Sequence, residues 1–197
     1  MLCKLMSYAP VIDLWAGILF RRDFMSITEK ISSFPEYAKD IKLNYSKILN
    51  EQILNKQQLY SIILISSITT GMKDLIEVAE EDAKNYIDNS LIESIYGAYS
   101  IMSMNSIYYR FTHLATNSDY SEIPANLRMQ FLSKHKMDKA DFEMLCLSVA
   151  IIIGCGKCIN AHESILRENN ITNQTIQTVA RITSVIYAIS NVLRVLK

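Results

Sequence analysis

The sequence predicts an all-helical fold, and three observations carry that prediction. Helix breakers are scarce, with 5 Gly and 3 Pro in 197 residues, too few for the many turns of a β fold. Apolar residues recur at helical spacing through most of the chain. Capping residues and single glycines punctuate those periodic stretches. The length suits one domain, or two small pseudo-repeats sharing a core. Half of the residues are hydrophobic and the formal net charge is zero, so nothing points to nucleic acid and no acidic tail suggests disorder.

Residues 1–24 differ from the rest of the chain. They show no helical stripe and no motif, and the apolar run from Leu14 to Phe20 is far too short to span a membrane. Asp13 interrupts it and no small-residue cleavage site comes after it, which argues against a signal peptide. The expectation is a dispensable extension over 1–24, with Met25 as a natural start, and one helical domain over 25–197 in a cytoplasmic protein with no membrane segment.

Pro35 suits a first helical turn, and Tyr37, Ile41, Tyr45, Ile48 and Leu49 place a helix over about 35–50. A second helix is expected at 56–70. Its run Ser61-Ile62-Ile63-Leu64-Ile65 is β-branched enough to pass for a strand, and only an internal repeat decides for helix. Gly71 breaks it. The next stretch, 73–86, reads as a partly exposed helix. Ser90 and Glu93 form a capping-box pattern for a helix running to about Phe111. Thr112 to Pro124 reads as the longest loop, and a short helix is expected near 125–133. Asp138 is a good N-cap for a helix over 139–153. Gly154 interrupts, a helix carrying two cysteines runs from 155 to 169, Asn169-Asn170 ends it, and Thr172 caps a last helix over about 173–196.

The internal repeat has an offset of 83 residues. It places Gly154 on Gly71, Leu147 on Leu64, Ile151 on Ile68 and Glu163 on Glu80. With one gap residue Ile171 falls on Ile87, Ile176 on Ile92 and Arg194 on Arg110. Both halves therefore read as apolar helix, glycine break, polar helix and long helix, a pair of degenerate repeats. Met72 and Leu75 occupy the places of Cys155 and Cys158, so this local fold does not need the cysteines.

The chain has 4 cysteines, too few for a secreted disulfide framework. Cys3 reads as incidental and Cys146 as a core residue. Cys155 and Cys158, three apart at the start of a helix, share nearly one face and can form a disulfide. The free N–H groups and dipole of the first turn stabilise a thiolate, the species that attacks disulfides and peroxides. His162 lies one turn beyond Cys158 and can take its proton. Glu143, on the preceding helix, reaches the same place if that helix packs back across Gly154, and can shuttle a proton. Cys158 is then the nucleophile, because it has the histidine, and Cys155 the resolving thiol. Competing readings exist. Cys155, Cys158 and His162 with a carboxylate could staple a helical interaction module around zinc. Glu143 could be an ordinary first-turn acid. His113 and His135, which flank loops, are expected to be solvated or capping.

At these residues the sequence resembles the alkyl hydroperoxide reductase D (AhpD) family, within the carboxymuconolactone-decarboxylase-like superfamily. The similarity covers about residues 25–195. It includes the segment from Pro35 to Asn44, Met104-Asn105 with Tyr109-Arg110, and Leu127-Arg128-Met129. Its most specific part is Phe142-Glu143, Gly154-Cys155-Gly156-Lys157-Cys158 and Ala161-His162-Glu163. The resemblance implies an all-α AhpD-like bundle, a homotrimer, and a lipoyl-dependent peroxidase with no bound cofactor or metal. In such proteins lipoamide on a lipoylated dihydrolipoamide acyltransferase is the electron-donating cosubstrate, and the cysteine pair regenerates the peroxiredoxin AhpC. By that analogy Cys158 forms the sulfenic acid and the mixed disulfide with AhpC, Cys155 closes the redox disulfide, and Glu143 and His162 carry the proton relay. Lys157 stands where some members have a histidine. It can stabilise a thiolate by charge, but an ordinary ammonium is a poor proton shuttle at neutral pH. A lactone-cleaving, decarboxylase-like activity is the other enzymatic reading, and that chemistry has no need of thiols.

Overall fold

The computed structural model describes residues 25–196. The expected extension over 1–24, with Cys3 in it, lies outside the described residues. Among these there are eight α-helices and no strand: α1 (Ile27–Ser32), α2 (Lys39–Asn50), α3 (Lys56–Thr70), α4 (Lys73–Ala83), α5 (Asn89–Leu114), α6 (Lys139–Ile153), α7 (Gly156–Glu168) and α8 (Asn173–Val195).

Helices α3 and α6 are apolar on nearly every side, so both must be surrounded. In α3, Leu59, the run from Ile62 to Ile65, and Ile68 are buried; in α6 the buried set is Phe142, Met144 to Leu147, Val149 and Ala150. The two helices pack on each other, and α4, α5, α7 and α8 cover them. Each fully buried Ile or Leu contributes about 1.5–3 kcal/mol relative to exposure. This burial, rather than strand propensity, decides that the β-branched segment of α3 is helical. Two of the serines in these helices are satisfied locally: Ser67 and Ser148 donate to the carbonyls of Ile63 and Met144, four residues back, whereas Ser61 Oγ is buried without a partner. Helix α8 is long and apolar enough to cross a membrane by length and composition. Its Val179, Ile182, Ile186 and Ile189 are buried, and it packs on α2, α3 and α6.

Local signals placed most helix ends. Asn55 and Gln58 cap α3 reciprocally, Asp138 accepts from the N–H groups of Ala140 and Asp141, and Thr172 accepts from that of Thr175. Gly71 and Gly154 both end helices in the left-handed conformation, at φ +69° and +76°. Asn170, at φ +62°, ends α7 in the same way. Four expectations need correction. The N-cap of α5 is Asp88, which accepts from Ser90 N–H, so Ser90 and Glu93 lie inside the helix and form no capping box. That bond holds the exposed Asp88 carboxyl below its ordinary range. The ends of α4 and α5 fall at Ala83 and Leu114 rather than at 86 and about 111. In place of an α-helix near 125–133 there is one 3₁₀ turn, Gln130–Ser133. Finally, α1 stands where the sequence pattern predicts no helix. It is a six-residue helix with a capping box, Ser26 with Glu29, and its first N–H reaches Asp82 on α4.

The 83-residue offset has several counterparts in space. Arg110 donates to the carbonyl of Ile153 at the end of α6, and Arg194 donates to that of Thr70 at the end of α3. Gln58 Nε2 donates to Asp141 Oδ1 at 2.7 Å, joining two positions that the offset equates.

A Cβ at Gly71 would meet nothing within 4 Å, so Gly71→Ala tests the backbone alone. It should cost about 1–2 kcal/mol in urea unfolding, the penalty of a left-handed alanine. Burial raises the carboxyl of Asp82 above its ordinary range. The folded chain therefore holds that proton after the unfolded chain has lost it, and this group weakens stability as pH rises through that window. Asp82→Asn keeps an acceptor for Ile27 N–H. Its stability relative to the parent should increase from acid toward neutral pH.

Candidate redox site

Where α6 ends, the chain makes a six-residue turn that determines the site. Gly154 N–H donates to the carbonyls of Ala150 and Ile151, and Cys155 N–H donates to that of Ala150. This is the Schellman pattern, which needs a left-handed residue at Gly154 and leaves Cys155 extended. Arg110 donates to the carbonyl of Ile153 at 2.6 Å, so the last carbonyl of α6 has a partner. Cys155 thereby becomes the N-cap of α7, and its sulfur accepts the Cys158 N–H at 3.2 Å. Cys155 and Cys158 are joined as a disulfide with Cα atoms 5.3 Å apart. Cys155 is 0% exposed and Cys158 5%, so an incoming group meets Cys158 first.

The second half of the site comes from α7 folding back along α6. His162 Nδ1 and Glu143 Oε2 are 2.6 Å apart, with side chains only 13% and 15% exposed. Glu143 lies in the second turn of α6, and the first-turn acid is Asp141. The dipole-acid reading of Glu143 therefore fails, and its partner is the imidazole. With Nδ1 engaged, Nε2 is the ring nitrogen left for another partner. His162 is one turn beyond Cys158 on the same helix, so the disulfide, the imidazole and the carboxylate are neighbours in that order.

Three further residues belong to this region. Lys157 extends its ammonium over the ring of Tyr109, 5.5 Å from the centroid. Arg110 supports the turn, and the Arg110–Arg194 correspondence in the sequence was the only hint of that role. His135 is partly exposed and caps no helix. Its ring stacks on Phe142 at 3.8 Å, beside Glu143 in sequence, and its Nδ1 is buried without a partner. Cys146 is buried and free, and burial pushes its thiol well up. Among the described residues no three His, Cys, Asp or Glu side chains converge as a metal site.

Residues 119–197 match the family described as "Carboxymuconolactone decarboxylase family". Relatives cover almost the whole described chain. A protein of Brucella anthropi named "Alkyl hydroperoxide reductase AhpD" is 42% identical over 166 residues, 84% of this chain and 95% of the relative. One of the same name from Rhizorhabdus wittichii is 38% identical over 85% of this chain and 97% of its own length. Another, from Solibacter usitatus, is 37% identical over 87% and 97%.

The three cysteines within the described residues should separate by reactivity. After reduction, native protein treated with iodoacetamide should be alkylated at Cys158 ahead of Cys155, with Cys146 untouched until denaturant is added. Peptide mapping by mass spectrometry reads the order. Early labelling of Cys146 would contradict its burial in the core of α6.

Proposed function

We propose, from the premise that this chain belongs to the AhpD family of alkyl hydroperoxide reductases, that it is a cytoplasmic antioxidant peroxidase and thiol–disulfide carrier. Its electrons come from dihydrolipoamide, carried on a lipoylated acyltransferase, and its acceptors are organic hydroperoxides and the peroxiredoxin AhpC. The observation that supports this most is the 2.6 Å pairing of Glu143 with His162, one helical turn from a redox disulfide. A structural disulfide has no use for a half-buried acid–imidazole pair beside it.

In the oxidising half, the Cys158 thiolate attacks a hydroperoxide oxygen. An S–O bond forms, the O–O bond breaks, and the alcohol leaves with a proton delivered by His162, which Glu143 orients and re-protonates. Cys155 then attacks the Cys158 sulfenic acid. The S–S bond forms and water leaves, so two electrons have passed from the two thiols to the peroxide. In the reducing half, one thiolate of dihydrolipoamide attacks Cys158, the more exposed sulfur, and Cys155 departs as a thiolate. The Cys158 N–H and the start of α7 stabilise that leaving group. The second thiol of the donor closes the lipoamide disulfide, releases Cys158 and returns both protons to the pair. Exchange with an oxidised peroxiredoxin takes the same route, through a mixed disulfide at Cys158. Residues 25–197 carry this activity in a homotrimer, and 1–24 is dispensable to it.

The test is NADH oxidation with dihydrolipoamide dehydrogenase, lipoamide and a small alkyl hydroperoxide. Cys158→Ser should abolish protein-dependent turnover, and His162→Gln should slow it by at least about a hundredfold, the lower range for a positioned acid–base group. Glu143→Gln should cost about ten- to a hundredfold through the imidazole it orients. A chain starting at Met25 should keep the full rate. Near-parental rates in both Cys158→Ser and His162→Gln would refute the mechanism.

A further inference from the structure

The start of α7 and the end of α5 line an open, solvent-filled groove of about 320 Å³, which Lys157, the neighbour of Cys158 in the chain, borders. One wall is the first part of α7, with Lys157 and Asn160. The other is His113 at the end of α5, then Thr116 and Ser118 in the segment that follows. The lining has one fixed cation and several hydrogen-bond donors, and no carboxylate. Asp119 and Glu122 lie in the same segment but do not line the groove. No acid among the described residues forms an ion pair with Lys157, whose ammonium lies over the ring of Tyr109. Ser121 Oγ donates to the carbonyl of Thr112 and Thr112 Oγ1 to that of Tyr109, which fixes the outer wall.

We propose that this groove is the subsite for a carboxylate on a small substrate of the cysteine pair, with Lys157 as its anchor and His113, Thr116, Ser118 and Asn160 as further donors. An aqueous groove with a cation and unopposed donors favours an anion, and a carboxylate accepts several such bonds at once. Lys157 sits between the two cysteines in sequence, one residue from Cys158, so the groove it borders adjoins the turn that carries the sulfurs. The volume suits the carboxyl end of a short-chain compound rather than a long lipid. This inference rests on the peroxidase reading and adds a charge preference to it. The carboxylate can belong to the oxidant, as in an acid-bearing hydroperoxide, or to the reductant, as in free dihydrolipoate.

Matched pairs of compounds separate these sources. In the reducing arm the Cys155–Cys158 disulfide is reduced with dihydrolipoate or with neutral dihydrolipoamide. In the oxidising arm the reduced protein meets a short carboxylate hydroperoxide or its methyl ester. Each rate is measured by thiol titration at low ionic strength. The expected result is a preference for the anion of about three- to tenfold, carried mainly by KM, in at least one arm. It should fall toward one in Lys157→Gln, fall partly in His113→Gln, and diminish with added salt. Because the ratio compares two compounds on one variant, any change in thiol reactivity caused by Lys157→Gln cancels. Active protein with a ratio of one in both arms, or a preference that survives Lys157→Gln, overturns the subsite and leaves the peroxidase reading intact. Protein inert toward all four compounds overturns both.

Discussion

A helix that is apolar on nearly every side has to be surrounded by others, and the carbonyls of its last turn must still find partners. That requirement governs α6. Its last turn is only partly covered, yet Ile153 O is taken by Arg110 and Ala150 O by the N–H groups of Gly154 and Cys155. Those bonds force a left-handed turn at Gly154 and an extended Cys155. From there α7 can only begin with Cys155 as its cap and Cys158 in its first turn. The redox pair is thus placed by the way a buried helix is terminated.

The same turn folds α7 back along α6, which brings His162 to Glu143 although they are nineteen residues apart in sequence. One element pair therefore supplies the two sulfurs, the imidazole and the carboxylate. The two sulfurs are not equivalent: Cys155 accepts a backbone N–H and is 0% exposed, while Cys158 is 5% exposed. Lys157, between the two cysteines, lays its ammonium over Tyr109 and borders the polar groove.

The half of the chain from α3 to α5 has the same order of elements and the same kind of glycine turn, but different chemistry. At the offset positions, Cys155 and Cys158 become Met72 and Leu75, His162 becomes Ala79, and Glu143 becomes Tyr60. Met72, Leu75 and Ala79 are buried core residues, and Tyr60 stacks on Tyr86 at 4.1 Å. The turn is compatible with an ordinary apolar core, and Cys155, Cys158, His162 and Glu143 are what set the second copy apart.

The sequence by itself determined what is local. Apolar periodicity, glycine breaks at Gly71 and Gly154, and caps at Asp138 and Thr172 located α3, α6, α7 and α8 to within a residue or two. The spacing of Cys155, Cys158 and His162 announced the chemistry, because residues three and four apart on a helix must be neighbours. What depends on distant partners was decided only by tertiary structure. A six-residue helix such as α1 has too few turns to be stable alone, and it exists because Ile27 and Ile31 are buried and Asp82 receives its first N–H. Asp88 rather than Ser90 caps α5, a choice between two good capping residues that short-range pattern does not resolve. His135 stacks on Phe142, and Glu143 holds His162 instead of serving its own helix dipole. Each of these contacts joins segments whose meeting is set by the packing of whole helices, and no spacing within one segment encodes it.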